Sequence, residues 1–129
     1  MNYMYGEITM QEKIERNISR KIKNRIVSSL KEDKSIRNWE KLVGYTIKEA
    51  VKRLESTMPK GYTWNDVLAG SVHIDHIIPI CAWNFTKPSH ADFKRCWALE
   101  NLQLLPAEEH WKKSFVIPKE FQPSLKINI

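Results

Sequence analysis

The run His73-Ile74-Asp75-His76-Ile77-Ile78-Pro79 is followed by Asn101-Leu102-Gln103-Leu104-Leu105 and then by His110-Trp111-Lys112-Lys113-Ser114. An Asp-His pair, an Asn and a third His thus fall within 38 residues. Asp75 offers a hard oxygen ligand for a divalent cation, and His76 beside it is a nitrogen base that titrates near neutral pH. His110, 34 residues beyond His76, can close on the same ion if the chain folds back. That is the minimum equipment for metal-assisted hydrolysis of a phosphodiester, which needs an activated water, a counter-charge at phosphorus and help for the departing 3′ oxygen. In this assignment neutral His76 accepts a proton from the attacking water. One divalent ion on Asp75 and His110 acts as Lewis acid and template, and two protein ligands leave room for water and phosphate, a sparse shell that Mg2+ tolerates.

The same spacing resembles the HNH endonucleases over about residues 72–115. The resemblance implies His76 as general base, Asp75 as metal ligand, Asn101 as the residue that holds the motif's backbone, and His110 as completing the metal shell. Ile77-Ile78-Pro79 and Asn101-Leu102-Gln103 match the usual surroundings, and Lys113 fits a Lys often found three residues after the last His. Trp39, Leu42-Val43-Gly44-Tyr45-Thr46, Leu54-Glu55-Ser56 and Thr63-Trp64 look like the helical lead-in of small phage-type HNH proteins. A metal-dependent DNA endonuclease is therefore expected, nicking or cutting both strands and leaving 5′-phosphate and 3′-hydroxyl ends. Mg2+ or Mn2+ is the expected cofactor, with Zn2+ or Ni2+ as alternatives, and double-stranded DNA is the expected partner. A non-catalytic DNA-binding or packaging accessory protein and a DNase toxin are the other classes the pattern admits. Cys81 and Cys96 cannot build the paired Cys-x-x-Cys knuckles of some HNH proteins, so the chain departs from that subgroup. Both are expected reduced and at least partly buried.

The elements that must position these groups can be read from periodicity. Residues 1–9 form a leader, 10–70 a basic helical region, 71–115 the nuclease-like motif and 116–129 a tail. Met10, Ile14, Ile18, Ile22, Ile26 and Leu30 recur every four residues, which predicts a helix. Such a stripe drifts about 40° per step, so its packing partner changes along the rod or part of it stays exposed. Lys31 to Ser35 reads as a polar link, and Ile36 to Val43 as a short helix ended by Gly44. Thr46 with Glu49 is a capping-box pattern opening a helix that Pro59 ends. Thr63 to Asp66 opens one more turn, stopping by Gly70. Val72 to Ile78 reads as a strand and Asn101 to Leu105 as a second, with a helical turn near Ala91 to Cys96 in the long loop between them. Ala107 to Ser114 reads as a helix with acids first and lysines last, as its dipole favours. The fold class is α+β: N-terminal helices followed by strand, loop, strand and helix, which the resemblance identifies as a ββα-metal motif.

One difficulty is geometric. Neighbours on a regular strand face opposite ways, so Asp75 and His76 need a bend or bulge to share an ion, and an Asn101 amide could brace it. His73 should share the face of Asp75, where it can bind a phosphate or a metal-bound water, or else bond a backbone carbonyl. Trp39, Trp64, Trp83 and Trp97 are expected in the core, Trp111 wedging the last helix against the strands, and His90 in an exposed loop.

The net charge of +6 is unevenly spread: residues 11–53 hold thirteen Lys/Arg against six Asp/Glu, and residues 54–129 hold eight of each. The stretch Arg16, Arg20, Lys21, Lys23 and Arg25 carries no acid and is expected to supply sequence-independent phosphate contacts, with Arg16, Arg20 and Lys23 as the leading candidates, joined by His73 and Lys113 near the motif. No apolar run approaches a membrane span, and the first residues lack the charged and apolar regions of a secretory signal. The expected location is the cytoplasm, that of the host cell if the chain is phage-encoded.

Overall fold

The structure is a computed structural model, described for residues 7–31, 36–113, 117 and 120–124. Helix α1 (Met10–Ser29) opens on a capping box in which Thr9 and Glu12 satisfy each other's backbone N–H, a signal inside the expected leader. Ile14, Ile18, Ile22, Ile26 and Leu30 are all buried, whereas Met10 is 42% exposed. The winding stripe is served by changing partners: α1 packs on α3 (Ile47–Ser56) and α4 (Trp64–Ala69), and its Lys21 to Ser28 stretch borders a cavity with strand β1 (Val72–His76).

Helix α2 (Trp39–Val43) starts later than expected and ends at Gly44, whose φ of 85° is the left-handed conformation glycine adopts freely. The polar link falls largely on residues 32–35, outside the described residues. Thr46 and Glu49 form the expected capping box of α3, and Thr63 and Asp66 form another for α4. Trp39 Nε1 donates to Ser19 Oγ at 3.0 Å, and Tyr45 donates its hydroxyl to Trp97 O at 2.7 Å, joining the lead-in to the second half of the chain.

Strands β1 (Val72–His76) and β2 (Leu102–Pro106) form a two-stranded antiparallel sheet, making the fold α+β. Their register is one to one, from Val72 opposite Pro106 to His76 opposite Leu102. No bulge therefore lies within 72–76, and the chain bends only afterwards, at Ile77 and Ile78. The outer edge of β2 is covered by α3: Arg53 Nε donates to Leu102 O at 3.1 Å, and Leu104 N–H donates to Thr57 Oγ1 at 2.9 Å. Backbone groups that would otherwise template another strand are thereby satisfied.

Between the strands sits α5 (Ala91–Cys96), and after β2 comes α6 (Ala107–Lys113). Asp92, fully buried, accepts from Asn84 N–H, Ser124 N–H and Arg95, all at 2.9 Å. Part of the supposed tail is thus bound to α5, and Phe121 meets Trp83 edge to face. His90 is half-buried rather than exposed, and its Nδ1 accepts from Thr86 N–H at 3.0 Å. Trp39 and Trp97 are buried, and Trp64 and Trp83 partly so. Trp111 is not a wedge: it is 67% exposed, touching His73 with one ring edge. Among the described residues no helix is long and apolar enough to cross a membrane.

Candidate active site

The end of β1, the start of β2 and α6 converge on Asp75. Its cross-strand partner Gln103 donates Nε2–H to Asp75 Oδ2 at 2.9 Å, fixing the carboxylate plane. Lys113 Nζ lies 3.3 Å from Asp75 Oδ2 and donates to His76 O at 2.7 Å. His110 Nε2 lies 3.6 Å from Asp75 Oδ1. On its other side, His110 Nδ1 meets His73 Nδ1 at 3.0 Å. His73 does share the face of Asp75, but its partner is an imidazole instead of a backbone carbonyl.

His76 points to the opposite face, edge-on to Trp97 with ring centroids 4.5 Å apart. Its Nε2 is buried and without a hydrogen-bond partner among the described residues. Burial, together with the positive charges of Arg25, Lys113 and His110, pushes its pKa down to about 3. The ring is therefore neutral at pH 7. His110 also titrates below the usual value, because of burial and the neighbouring His73, Arg25 and Lys113, against an opposing pull from Asp75.

Asn101 closes the bend beyond β1. Ile78 N–H donates to Asn101 Oδ1 at 2.9 Å, and the amide Nδ2 donates to Ile78 O at 3.1 Å and Cys96 O at 2.8 Å. Ile77 N–H donates to Asn101 O at 2.8 Å. One side chain thus joins the turn after β1 to the end of α5.

Asp75 and His76 reach one cavity without a bulge: among the described residues β1 pairs with β2 alone, so its other edge has no strand partner there. Around that edge both line a cavity of about 360 Å3, closed by Arg25 and Ser28 of α1 and by His110 and Lys113 of α6. Cys81 is exposed at the same cavity, correcting the expectation of partial burial, whereas Cys96 is buried; both are free thiols.

The basic helix divides into two faces. Arg16, Arg20 and Lys23 line a shallow depression near Ile47, away from this cavity. At about 100° per residue they lie roughly 140–180° around α1 from Arg25. Arg25 belongs to the basic stretch Arg16 to Arg25 that the sequence marks for phosphate contact, but net charge does not say which side of the helix faces a strand, and only Arg25 of the three arginines lines this cavity. The buried Ile18, Ile22 and Ile26 carried that signal, since they orient the helix. Gln103 was missed for a similar reason: its contact with Asp75 follows from strand register, not from sequence spacing.

Among the described residues no three His, Cys, Asp or Glu side chains cluster as metal ligands. The donors that could share one ion are Asp75 and His110. In a six-coordinate shell with bonds of about 2.1 Å, adjacent ligands stand about 3.0 Å apart. The 3.6 Å between Asp75 Oδ1 and His110 Nε2 is near that span and fits an ion that keeps most of its waters, not a closed four-ligand zinc site. Compared with protein-family models, curated proteins and solved structures, the chain matches none.

Proposed function

We propose that the protein is a metal-dependent DNA endonuclease of the HNH type, with residues 71–115 as its ββα-metal motif. The observation that carries this reading is the meeting of Asp75, His76, His110 and Lys113 at one cavity, beside a bend braced by Asn101. Spacing made the first three candidates; their convergence supports a common chemical task. A divalent ion held by Asp75 and His110 would supply Lewis-acid stabilisation of the phosphorane charge and of the leaving oxygen.

His76 is the general base. A water proton passes to its unprotonated ring nitrogen as the water oxygen bonds to phosphorus, and the P–O3′ bond breaks with the electron pair leaving on O3′. Burial depresses the basicity of this ring most, and the cations that lower it further are those a bound phosphate would neutralise. Gln103 holds the Asp75 carboxylate in one orientation, and His73 does the same for the His110 ring. Asn101 keeps the His76 backbone from relaxing into a longer strand. Lys113 and Arg25 supply positive charge on opposite walls.

The test is cleavage of supercoiled plasmid by the purified protein across Mg2+, Mn2+, Zn2+ and EDTA. Metal-dependent nicking or linearisation is expected, and His76→Ala should lower the rate by about 10²–10⁴-fold. DNA binding without cleavage under every metal would overturn the catalytic reading and leave an accessory DNA-binding role.

A further inference from the structure

Beyond the cavity at Asp75 the structure holds another, of about 320 Å3, between α1 and β1. Its walls carry Lys21, Asn24, Arg25 and Ser28 from α1, with His73 and His76 from β1 and Trp97 behind them. The α1 residues stand at i, i+3, i+4 and i+7, the spacing that puts side chains on one helical face. The two cavities share Arg25, Ser28 and His76 in their walls, so the α1–β1 cleft and the Asp75 cavity adjoin at the proposed base.

Arg25 is exposed there and makes no hydrogen bond or ion pair among the described residues. Lys21 is committed elsewhere, donating to Val67 O at 3.3 Å at the C-terminal end of α4. A second observation is independent of charge. His76 Nε2 and Trp97 Nε1 are buried nitrogens with no partner among the described residues, and both belong to residues lining this cleft. Buried polar atoms are ordinarily paired, and clusters of exceptions mark binding or catalytic positions.

We propose that this cleft is a second anion subsite, in which Arg25 receives the phosphate adjacent to the one being cleaved. Asn24 and Ser28 flank it with neutral hydrogen-bonding groups, and a guanidinium suits a phosphate through paired N–H donors. The inference rests on the nuclease reading and adds that the strand enters along the α1 face of Arg25, opposite the more densely charged face of Arg16, Arg20 and Lys23.

Two measurements test it. In EDTA, binding of a short fluorescein-labelled duplex is followed by anisotropy across a salt series. Arg25→Gln should weaken binding about tenfold and reduce the salt slope by about 0.9, one phosphate contact. With metal, a set of duplexes carries a neutral methylphosphonate at one phosphate each around the cleavage position. One neighbouring position should slow wild-type cleavage yet cost Arg25→Gln nothing further, because charge and partner are then both absent. Wild-type affinity and salt slope in Arg25→Gln, with loss instead in the Arg16→Gln/Arg20→Gln/Lys23→Gln protein, would overturn the assignment. Absence of cleavage by the wild type would refute the nuclease reading, while the EDTA titration would still decide whether Arg25 is an anion contact. Melting curves check that Arg25→Gln folds, which is expected of an exposed side chain with no hydrogen-bond or ion-pair partner among the described residues.

Discussion

His73 and His110 meet nitrogen to nitrogen, Nδ1 to Nδ1, at 3.0 Å. Two imidazole nitrogens can approach so closely only if one donates a proton and the other accepts it. If His110 Nδ1 donates, its Nε2 carries a lone pair toward Asp75 Oδ1; if it accepts, a neutral His110 ring has its proton on Nε2. His73 therefore selects which nitrogen of His110 carries the lone pair, and with it whether His110 could hold the proposed ion. Replacing His73 with Phe keeps a ring against Trp111 and removes the nitrogen. Affinity for Mn2+, measured by titration calorimetry, should fall about 10–100-fold. Unchanged affinity would mean that His110 does not need this support.

The depressed pKa of His76 makes folding pH-dependent. The folded ring takes a proton only near pH 3, whereas in the unfolded chain it does so near the ordinary 6.5. Between those values the unfolded state holds more protons. Stability from this residue is therefore complete above pH 6.5 and falls as the pH drops, by about 1.4 kcal/mol per unit for one proton. His110, lowered in the same direction, steepens the loss. Urea unfolding in EDTA between pH 4 and 7 should show this slope in the wild type and a shallower one in His76→Leu. Equal slopes would mean that the His76 ring is not desolvated.

The imidazole of His110 also bears on metal choice. It matches hard Mg2+ poorly and suits ions whose affinities rise from Mn2+ toward Ni2+. Cleavage should be at least as fast with Mn2+ as with Mg2+, and Zn2+ should bind tightly yet inhibit through a rigid four-coordinate shell. His110→Asn should retain Mg2+ activity better than Mn2+ activity, and Asp75→Ala should abolish both. An unaltered order of metal preference in His110→Asn would remove His110 from the metal shell.

What the sequence made legible was whatever depends on near neighbours. The capping box at Thr46, the helical turn opened at Thr63, the glycine stops at Gly44 and Gly70 and the strand at Val72 follow from local rules and are present. The spacing of Asp75, Asn101 and His110 marked them as candidates, and the structure brings Asp75 and His110 within 3.6 Å of each other, while Asn101 braces the bend that follows β1. Relations between elements were hidden. Gln103 opposite Asp75 requires the register, Arg25 facing the cleft requires the roll of α1, and exposure of Trp111 requires knowing which face of α6 meets the sheet. The bond from Ser124 to Asp92 spans 32 residues and left no local trace.

Lys113 supports the last prediction. Its ammonium lies 3.3 Å from Asp75 Oδ2 and 2.7 Å from His76 O, against the carboxylate that a divalent ion would share. Asp75 is almost fully buried, so in metal-free protein Lys113 is the cation that compensates it. Ion and ammonium then compete for one carboxylate. Lys113→Met should destabilise the protein in EDTA by about 1–3 kcal/mol, the cost of leaving a buried polar partner unmet. The same variant should bind Mn2+ more tightly, because no ammonium must be displaced, and saturating Mn2+ should restore its stability by mass action. Urea unfolding with and without Mn2+, paired with calorimetric titration, reads both effects. Weaker Mn2+ binding by Lys113→Met would reverse the interpretation: Lys113 would then organise the Asp75 site for the ion instead of competing with it.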